Sequence, residues 1–540
     1  MWKRKVSIKQ QYGTLKHFLK GDEDCHYLGQ RYIENSNILA RREWRGVKDT
    51  ATAFFWWLKI WGRMSTLPLK APVKVMKATF RYRWFSSFML NPAMIDRWVE
   101  GDRGIALECN LNMIDKMTAD VIDVLYKVFR ADKNLCPGGR ENKYYEKTVI
   151  FDFSLPAHIM WGFPGYDALN LLQHLGYMLP LLRKSNGAYY TDKTISNGVP
   201  NDLCNLVMTE VGVAVNNEMP DIGKFWLTTN NPCDGTIMGN AFIHDLMAGE
   251  PKKASYSLTT PLMYDDISTR ELGKHEIAEA ISFIEEQTGL KFNWDSFKAH
   301  MESTNVLLLE EMERWDIYAN SSYGCVNPIV QNLYRMYVYQ RGGTDLFRKA
   351  SAKALKCCRR AVEKKIQPFP KARWRALAWS AEPIYYEGVS KWLYNCWGVI
   401  TVINMDSLTG HNIFDTDDKE EMLCDLADLY THTIMRTHTV GGNRHLMQMW
   451  ETAEKFNCEI ILMYDDMCCK GMAGAQGLIQ DEITKHSDQF KVMWIPHALA
   501  DHRVVPSMEI RRAVNQYMQS VMHAEPLDPT LVDFDDSEGW

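Results

Sequence analysis

The sequence predicts an α/β protein in which two parallel-sheet units are joined by a helical layer. Three observations carry this reading. Short β-rich runs end in turns that hold polar or thiol side chains, helical patterns follow those turns, and the alternation occurs in two separate stretches. The first stretch opens at Lys147 with "KTVIFDFSLP", a strand punctuated by Pro156. Next, "YDALNLLQHLGYMLPLL" has helical spacing of apolar residues and ends in Gly and Pro signals. "GKFWLTTNNPCDG" reads as a strand running into an Asn-Asn-Pro turn, and "TIMGNAFIHDLMAG" as the helix after it. Strand, turn and helix in this order make the βα unit of a parallel sheet, whose ligands sit beyond the carboxyl ends of the strands.

From Ser268 to Arg314 the apolar spacing is helical with Glu/Lys-rich outer faces, and Gly289 divides the segment into two helices. "LFRKASAKALKCCRRAVEKK" continues the helical layer. After "IQPFPKARW" the alternation restarts: "RALAWSAEP" is strand and turn, "YYEGVSKWLYNCWG" helix, and "VITVINMDSLTG" strand and turn. "CEIILMYDDMCCKG" is the next strand, followed by helix "AGAQGLIQDEITKH" and strand "FKVMWIPH". The expected division is an N-terminal extension over 1–147, a first α/β domain over 148–267, a helical region over 268–370, a second α/β domain over 371–523 and an acidic tail over 524–540.

A chain of 540 residues, 46% apolar and 24% charged, is globular and too long for one core. No run approaches the roughly 18 apolar residues that span a bilayer, so no membrane span is expected. The start "MWKRKVSIKQQYG" lacks the apolar segment of an export signal, which suggests a cytoplasmic protein. In that compartment 13 cysteines are not a disulfide framework, although two adjacent pairs stand out, Cys357-Cys358 and Cys468-Cys469. Net charge is −5 but uneven: residues 1–90 hold 18 Lys/Arg against 6 Asp/Glu, while the tail from Ala524 holds six acids and no base. A basic end suits nucleic acid, an anionic cofactor, a partner subunit or plain solvation. Nucleic acid is not the expected partner. The aromatic stretch "TATAFFWWLKIWGRM" is expected either in a subunit contact or packed within its own region.

The stretch "EIILMYDDMCCKGMAG" poses the chemical question. Asp465 and Asp466 could hold Mg²⁺ as in a polymerase, but that needs a hairpin, and the residues after them read as a helix. Thiolates offer the other reading, since soft sulfur ligands select zinc or iron–sulfur clusters. No Cys-x₂-Cys pair is present, so a zinc ribbon is unsupported. Cys233 and Cys469 both fall just past a strand at the start of a helix, where N–H groups favour an anionic centre.

The succession "DLCNLVMTEVGVAVNNEMPDIGKFWLTTNNPCDG", "PLMYDDISTRELGKHEIAEAISFIEEQTGLKFNWDSF", "RALAWSAEPIYYEGVSKWLYNCWGVITVINMDSLTG" and "ILMYDDMCCKGMAGAQGLIQDEI" resembles the 2-hydroxyacyl-CoA dehydratase and benzoyl-CoA reductase subunit family, over about Thr148 to His523. The resemblance implies two Rossmann-like, flavodoxin-like domains and one [4Fe-4S] cluster held by three cysteines. By segment these are Cys204, Cys233 and Cys469, with Cys468 a neighbour or an alternative ligand. Cys25, Cys109, Cys136, Cys325, Cys396, Cys424 and Cys458 are expected to stay apart from them. The implied activity is a hydro-lyase reaction: removal of water from a 2-hydroxyacyl-CoA thioester through a ketyl radical, after one-electron activation by an ATP-dependent iron–sulfur activator protein. A paralogous second subunit is the implied partner. A low-potential reductase subunit and a non-catalytic partner subunit are alternatives within the same resemblance. Where relatives carry His or Arg before the third cysteine, this chain has Asp465, Asp466 and Met467.

Overall fold

The structure, a computed structural model, describes residues 7–20, 44–89, 98–136, 142–152, 155, 157–170, 175–229, 233–247, 253–259, 267–386, 388–405, 413–431 and 442–533. The strands form two four-stranded sheets, both parallel throughout. The first contains β1 (Thr148–Phe151), β2 (Asp167–Leu169), β3 (Phe225–Thr229) and β4 (Ala254–Leu258) in the order β2-β1-β3-β4. The second contains β5 (Trp374–Trp379), β6 (Val399–Asn404), β7 (Ile460–Asp466) and β8 (Lys491–His497) in the order β6-β5-β7-β8. The α/β class with two parallel sheets is thus the observed one. In each sheet the order reverses beside its first strand, which opens a crevice at the carboxyl ends.

Central strands of such sheets are covered on both faces and need apolar side chains throughout. β1 and β3 accordingly read "TVIF" and "FWLTT" and are buried at every position. Two edge elements depart from the sequence reading. The segment from Tyr166 to Leu182, expected as helix, contributes β2 first, and helix is present at Met178–Leu182. Gly165, with φ of 96° after Pro164, turns the chain onto the edge of β1, where Asp167 pairs with Thr148 and Leu169 with Ile150. Sheet pairing outweighs the helical spacing here. β4 was not foreseen; it is an edge strand of small and polar residues with alternating exposure.

The longer helices are α1 (Ile8–Lys20), α2 (Val47–Lys70), α3 (Pro72–Arg81), α4 (Gly104–Ala131), α5 (Lys184–Ser196), α6 (Asn205–Val215), α7 (Asp234–Met247), α8 (Ile267–Thr288), α9 (Trp294–Asn320), α10 (Pro328–Arg341), α11 (Asp345–Lys364), α12 (Lys419–Thr431), α13 (Gly442–Lys455), α14 (Lys470–His486) and α15 (Ser507–Ser520). Gly289 ends α8 with φ of 70°, and the Asn293 side chain caps α9 by accepting from the Ser296 amide. No helix among the described residues is long and apolar enough to cross a membrane.

The N-terminal region is built into the same core. α4 is buried along most of its length and packs on both α2 and α11. α2 meets it through Ala53, Ile60, Met64 and Leu67, so part of the aromatic stretch packs within the chain, while Phe54, Phe55 and Leu58 face outward. Asp102, just before α4, pairs with Lys391 of the second α/β unit and accepts from Asn110 at 2.8 Å and Asn327 at 2.7 Å. Both members of that ion pair are buried. This arrangement ties three regions of sequence at one point.

Candidate functional site

Cys204, Cys233 and Cys469 each stand at the start of a helix. Cys204 precedes α6, Cys233 precedes α7 and Cys469 precedes α14, and their carbonyls accept the first helical bonds from Met208 (3.0 Å), Ile237 (3.0 Å) and Ala473 (2.9 Å). Strand ends deliver two of them: β3 runs toward Cys233 and β7 toward Cys469. Cys204 and Cys233 are brought together by small-residue packing, because a Cβ on Gly235 would touch the Cys204 Cβ at 3.4 Å.

An ion triad joins the two sheets at the same place. Lys470 Nζ lies 2.7 Å from Asp234 and 3.1 Å from Asp202. Lys470 follows Cys469, Asp234 follows Cys233, and Asp202 is two residues before Cys204. The charged neighbours therefore align the segments that carry the thiols. Sequence reasoning missed this triad, although its signal, a charged residue beside each cysteine, was present.

Burial raises all three thiols, and Cys204 and Cys469 also feel the charge of a neighbouring thiol. Burial pushes the Cys204 thiol well above its usual range, and negative charge on Asp466, Cys233 and Cys469 pushes it further. Burial likewise raises Cys233. Cys469 is pushed up to about 11 by burial first, with Asp466 and Cys233 adding to it. Three sulfurs at helix N-termini, each made reluctant to ionise by burial and two of them further by a neighbouring thiol, form a site whose charge balance a cation would reverse. Among the described residues no three His, Cys, Asp or Glu side chains close tightly enough around a point to hold a single metal ion.

Cys468 is beside this group. Its thiol is pushed up to about 12, by burial and then by Asp466 and Asp501, and it hydrogen-bonds the side chain of Asn205. Asp466 has a backbone role: one carboxylate oxygen accepts from the amides of Cys468 (3.1 Å) and Leu499 (3.2 Å). It thereby fixes the turn after β7 against the segment after β8. β7 pairs in parallel on both sides and leads into a helix, so the hairpin that a polymerase-type acidic pair requires is absent at this position. Consecutive strand residues also point to opposite faces, which separates Asp465 from Asp466.

The family model described as 2-hydroxyglutaryl-CoA dehydratase, D-component, matches residues 170–511. The chain belongs to this family. No curated protein matches the chain closely enough to count as a relative. The matched segment of this dehydratase-component family spans β3 to β8 and contains Cys204, Cys233 and Cys469. It begins after β2, so α2 and α4 lie outside it although they pack into the same core. Cys109, Cys136, Cys325, Cys357, Cys358, Cys396, Cys424 and Cys458 lie on other elements, and Cys25 lies outside the described residues.

Proposed function

We propose that this chain is the iron–sulfur-binding subunit of a 2-hydroxyacyl-CoA dehydratase-type enzyme, with Cys204, Cys233 and Cys469 as the protein ligands of one [4Fe-4S] cluster. The observation that supports it best is the meeting of three cysteine-bearing helix starts, drawn from two separate sheets, at the carboxyl ends of β3 and β7. The donor set fits the group. Three thiols suit iron–sulfur chemistry, in which each protein ligand takes a different iron. When bound, the cluster would supply a low-potential electron and a Lewis-acidic iron for loss of the 2-hydroxyl group.

The chain's own contribution is placement and field. The starts of α6, α7 and α14 aim N–H groups at the centre and favour its negative charge. Lys470 holds the two halves in register through Asp202 and Asp234, and Asp466 holds the turn that presents Cys469. We read a related second subunit and an ATP-dependent electron donor as the partners. The test is anaerobic purification followed by iron and sulfide analysis. About four of each per chain, lost in Cys204→Ser and in Cys233→Ser, supports the proposal. Zinc in place of iron, or retention of both elements in those variants, overturns it.

A further inference from the structure

The cysteine site occupies the carboxyl ends of the strands, and the opposite end of the second sheet holds a cavity of about 270 Å³. Its walls are the first residues of β5 and β6, Glu459 just before β7, and the 321–326 turn that follows α9. β7, with seven residues and so about 20 Å of strand, separates it from the turn that carries Cys469. One part of the wall is apolar: Phe369, Trp374, Ile400 and Val402. The rest is polar, and its charge is unbalanced. Arg373 and Arg375 both line the cavity, neither forms an ion pair among the described residues, and Glu459 is the single carboxylate of the wall. Arg375 is fixed in place: its guanidinium donates to the carbonyls of Tyr318, Ser321 (3.1 Å), Phe456 (2.8 Å) and Asn457 (3.2 Å), and its amide donates to Glu459 Oε2 at 3.1 Å. Arg373 is only partly engaged. Its Nη1 donates to the Glu525 carbonyl at 2.8 Å, its guanidinium lies 6.0 Å from the centre of the Trp374 ring, and its other guanidinium N–H groups have no protein acceptor among the described residues.

We propose that this cavity is a second ligand site and that it takes a small aromatic carboxylate, with the carboxylate on Arg373 and the ring against Phe369, Trp374, Ile400 and Val402. Three features select that class. Two guanidiniums against one carboxylate leave the wall one positive charge in excess, which suits a monoanion. The planar fork of an arginine with open N–H groups matches a carboxylate through two parallel bonds. Apolar walls around a volume just below the range of drug-sized pockets suit one ring with a short acid arm. Arg375 contributes charge more than bonds, since main-chain carbonyls already hold its guanidinium. A half-buried guanidinium without a carboxylate partner gains from a nearby anion, because a cavity screens charge less than water does. The occupied site would tie the end of α9 and its turn to the start of the second sheet. It is independent of what Cys204, Cys233 and Cys469 hold.

The experiment titrates the full chain, purified anaerobically, with benzoate in a calorimeter, and with benzamide as a neutral counterpart of the same shape. The expected result is saturable binding of benzoate at one site per chain, with benzamide weaker by about tenfold or more because a charge-assisted bond is lost. Arg373→Gln should weaken benzoate by a similar factor, about tenfold or more. Ala372→Trp should abolish binding by filling the cavity from its exposed rim. Both variants should keep the urea midpoint of the parent chain, which makes the loss local. Cys233→Ser should bind benzoate as the parent does, so failure of the cluster assignment leaves this result untouched. The proposal is overturned if benzoate shows no saturable binding, if benzamide binds as tightly, or if Arg373→Gln binds benzoate undiminished. It is also overturned if Cys233→Ser loses the binding, which would put benzoate at the cysteine site.

Discussion

Cys469 and Cys468 are neighbours with different surroundings, and the difference sets a prediction. Cys469 starts α14 and is coupled in charge to Cys204 and Cys233, whereas Cys468 is engaged with Asn205. Cys469→Ser should therefore lose most of the iron, because an alcohol is a poor iron ligand, while Cys468→Ser should keep it. Retention of iron in Cys469→Ser together with its loss in Cys468→Ser would shift the assignment by one residue. Asp466→Asn should keep the iron, since an amide oxygen can still accept from Cys468 and Leu499. A second residue-scale prediction concerns pH. His158 is buried with no hydrogen-bond partner for its ring among the described residues, and burial depresses it from 6.5 to about 4. Below pH 6.5 the unfolded chain takes up a proton that the folded chain refuses until about pH 4, so stability falls as pH drops through that window. The loss is about 3 kcal/mol in all. His158→Leu should flatten that part of the acid limb in denaturant titrations at several pH values. The strand-to-helix placement of Cys233 and Cys469 was legible in the sequence, whereas Cys204, which follows a helix, entered only through the family resemblance. His158 was not legible, because nothing local marks a ring as buried without partners.

Helices α5 and α6 lie so close that a Cβ on Gly212 would fall 2.1 Å from the Tyr190 carbonyl oxygen. Backbone cannot yield as a side chain can, so we predict that Gly212→Ala destabilises by about 2–3 kcal/mol in urea unfolding. Gly474, inside α14, has nothing within 4 Å of such a Cβ. Gly474→Ala should therefore stabilise, by up to about 1 kcal/mol, as alanine does in an exposed helix interior. Equal effects for the two substitutions would show that helix propensity, not packing, governs both. Element type was legible where a pattern was long or fully apolar, as in α8, α9, α11, β3 and β7. It failed at β2 and β4, which are short edge strands of three and five residues. Such strands are specified by the neighbour they pair with, and their own side chains say little.

For the molecule as a whole, the Asp102–Lys391 pair joins the N-terminal region to the second α/β unit, with Asn110 and Asn327 satisfying the second carboxylate oxygen. Removing one partner of a buried pair strands the other charge, so Asp102→Ala should cost about 3–5 kcal/mol. The expected signature in urea unfolding is a lower midpoint of the main transition, since the core is continuous across these regions. An early separate transition for the N-terminal helices would contradict this. That continuity was not readable from the sequence: residues 1–147 read as an N-terminal extension, whereas burial of α4 is a property of its partners.

β3 and β7 occupy the same place in their respective sheets, third in chain order and flanked by the first and fourth strands. Cys233 and Cys469 are therefore topological counterparts, one from each copy of a doubled plan. Cys204 has no counterpart: the helix before β3 is preceded by a cysteine, whereas the helix before β7 begins "GGNRHLM". A repeated plan with one thiol unmatched gives an odd number of cysteines. A four-iron centre held by these three residues would keep one corner without a protein sulfur.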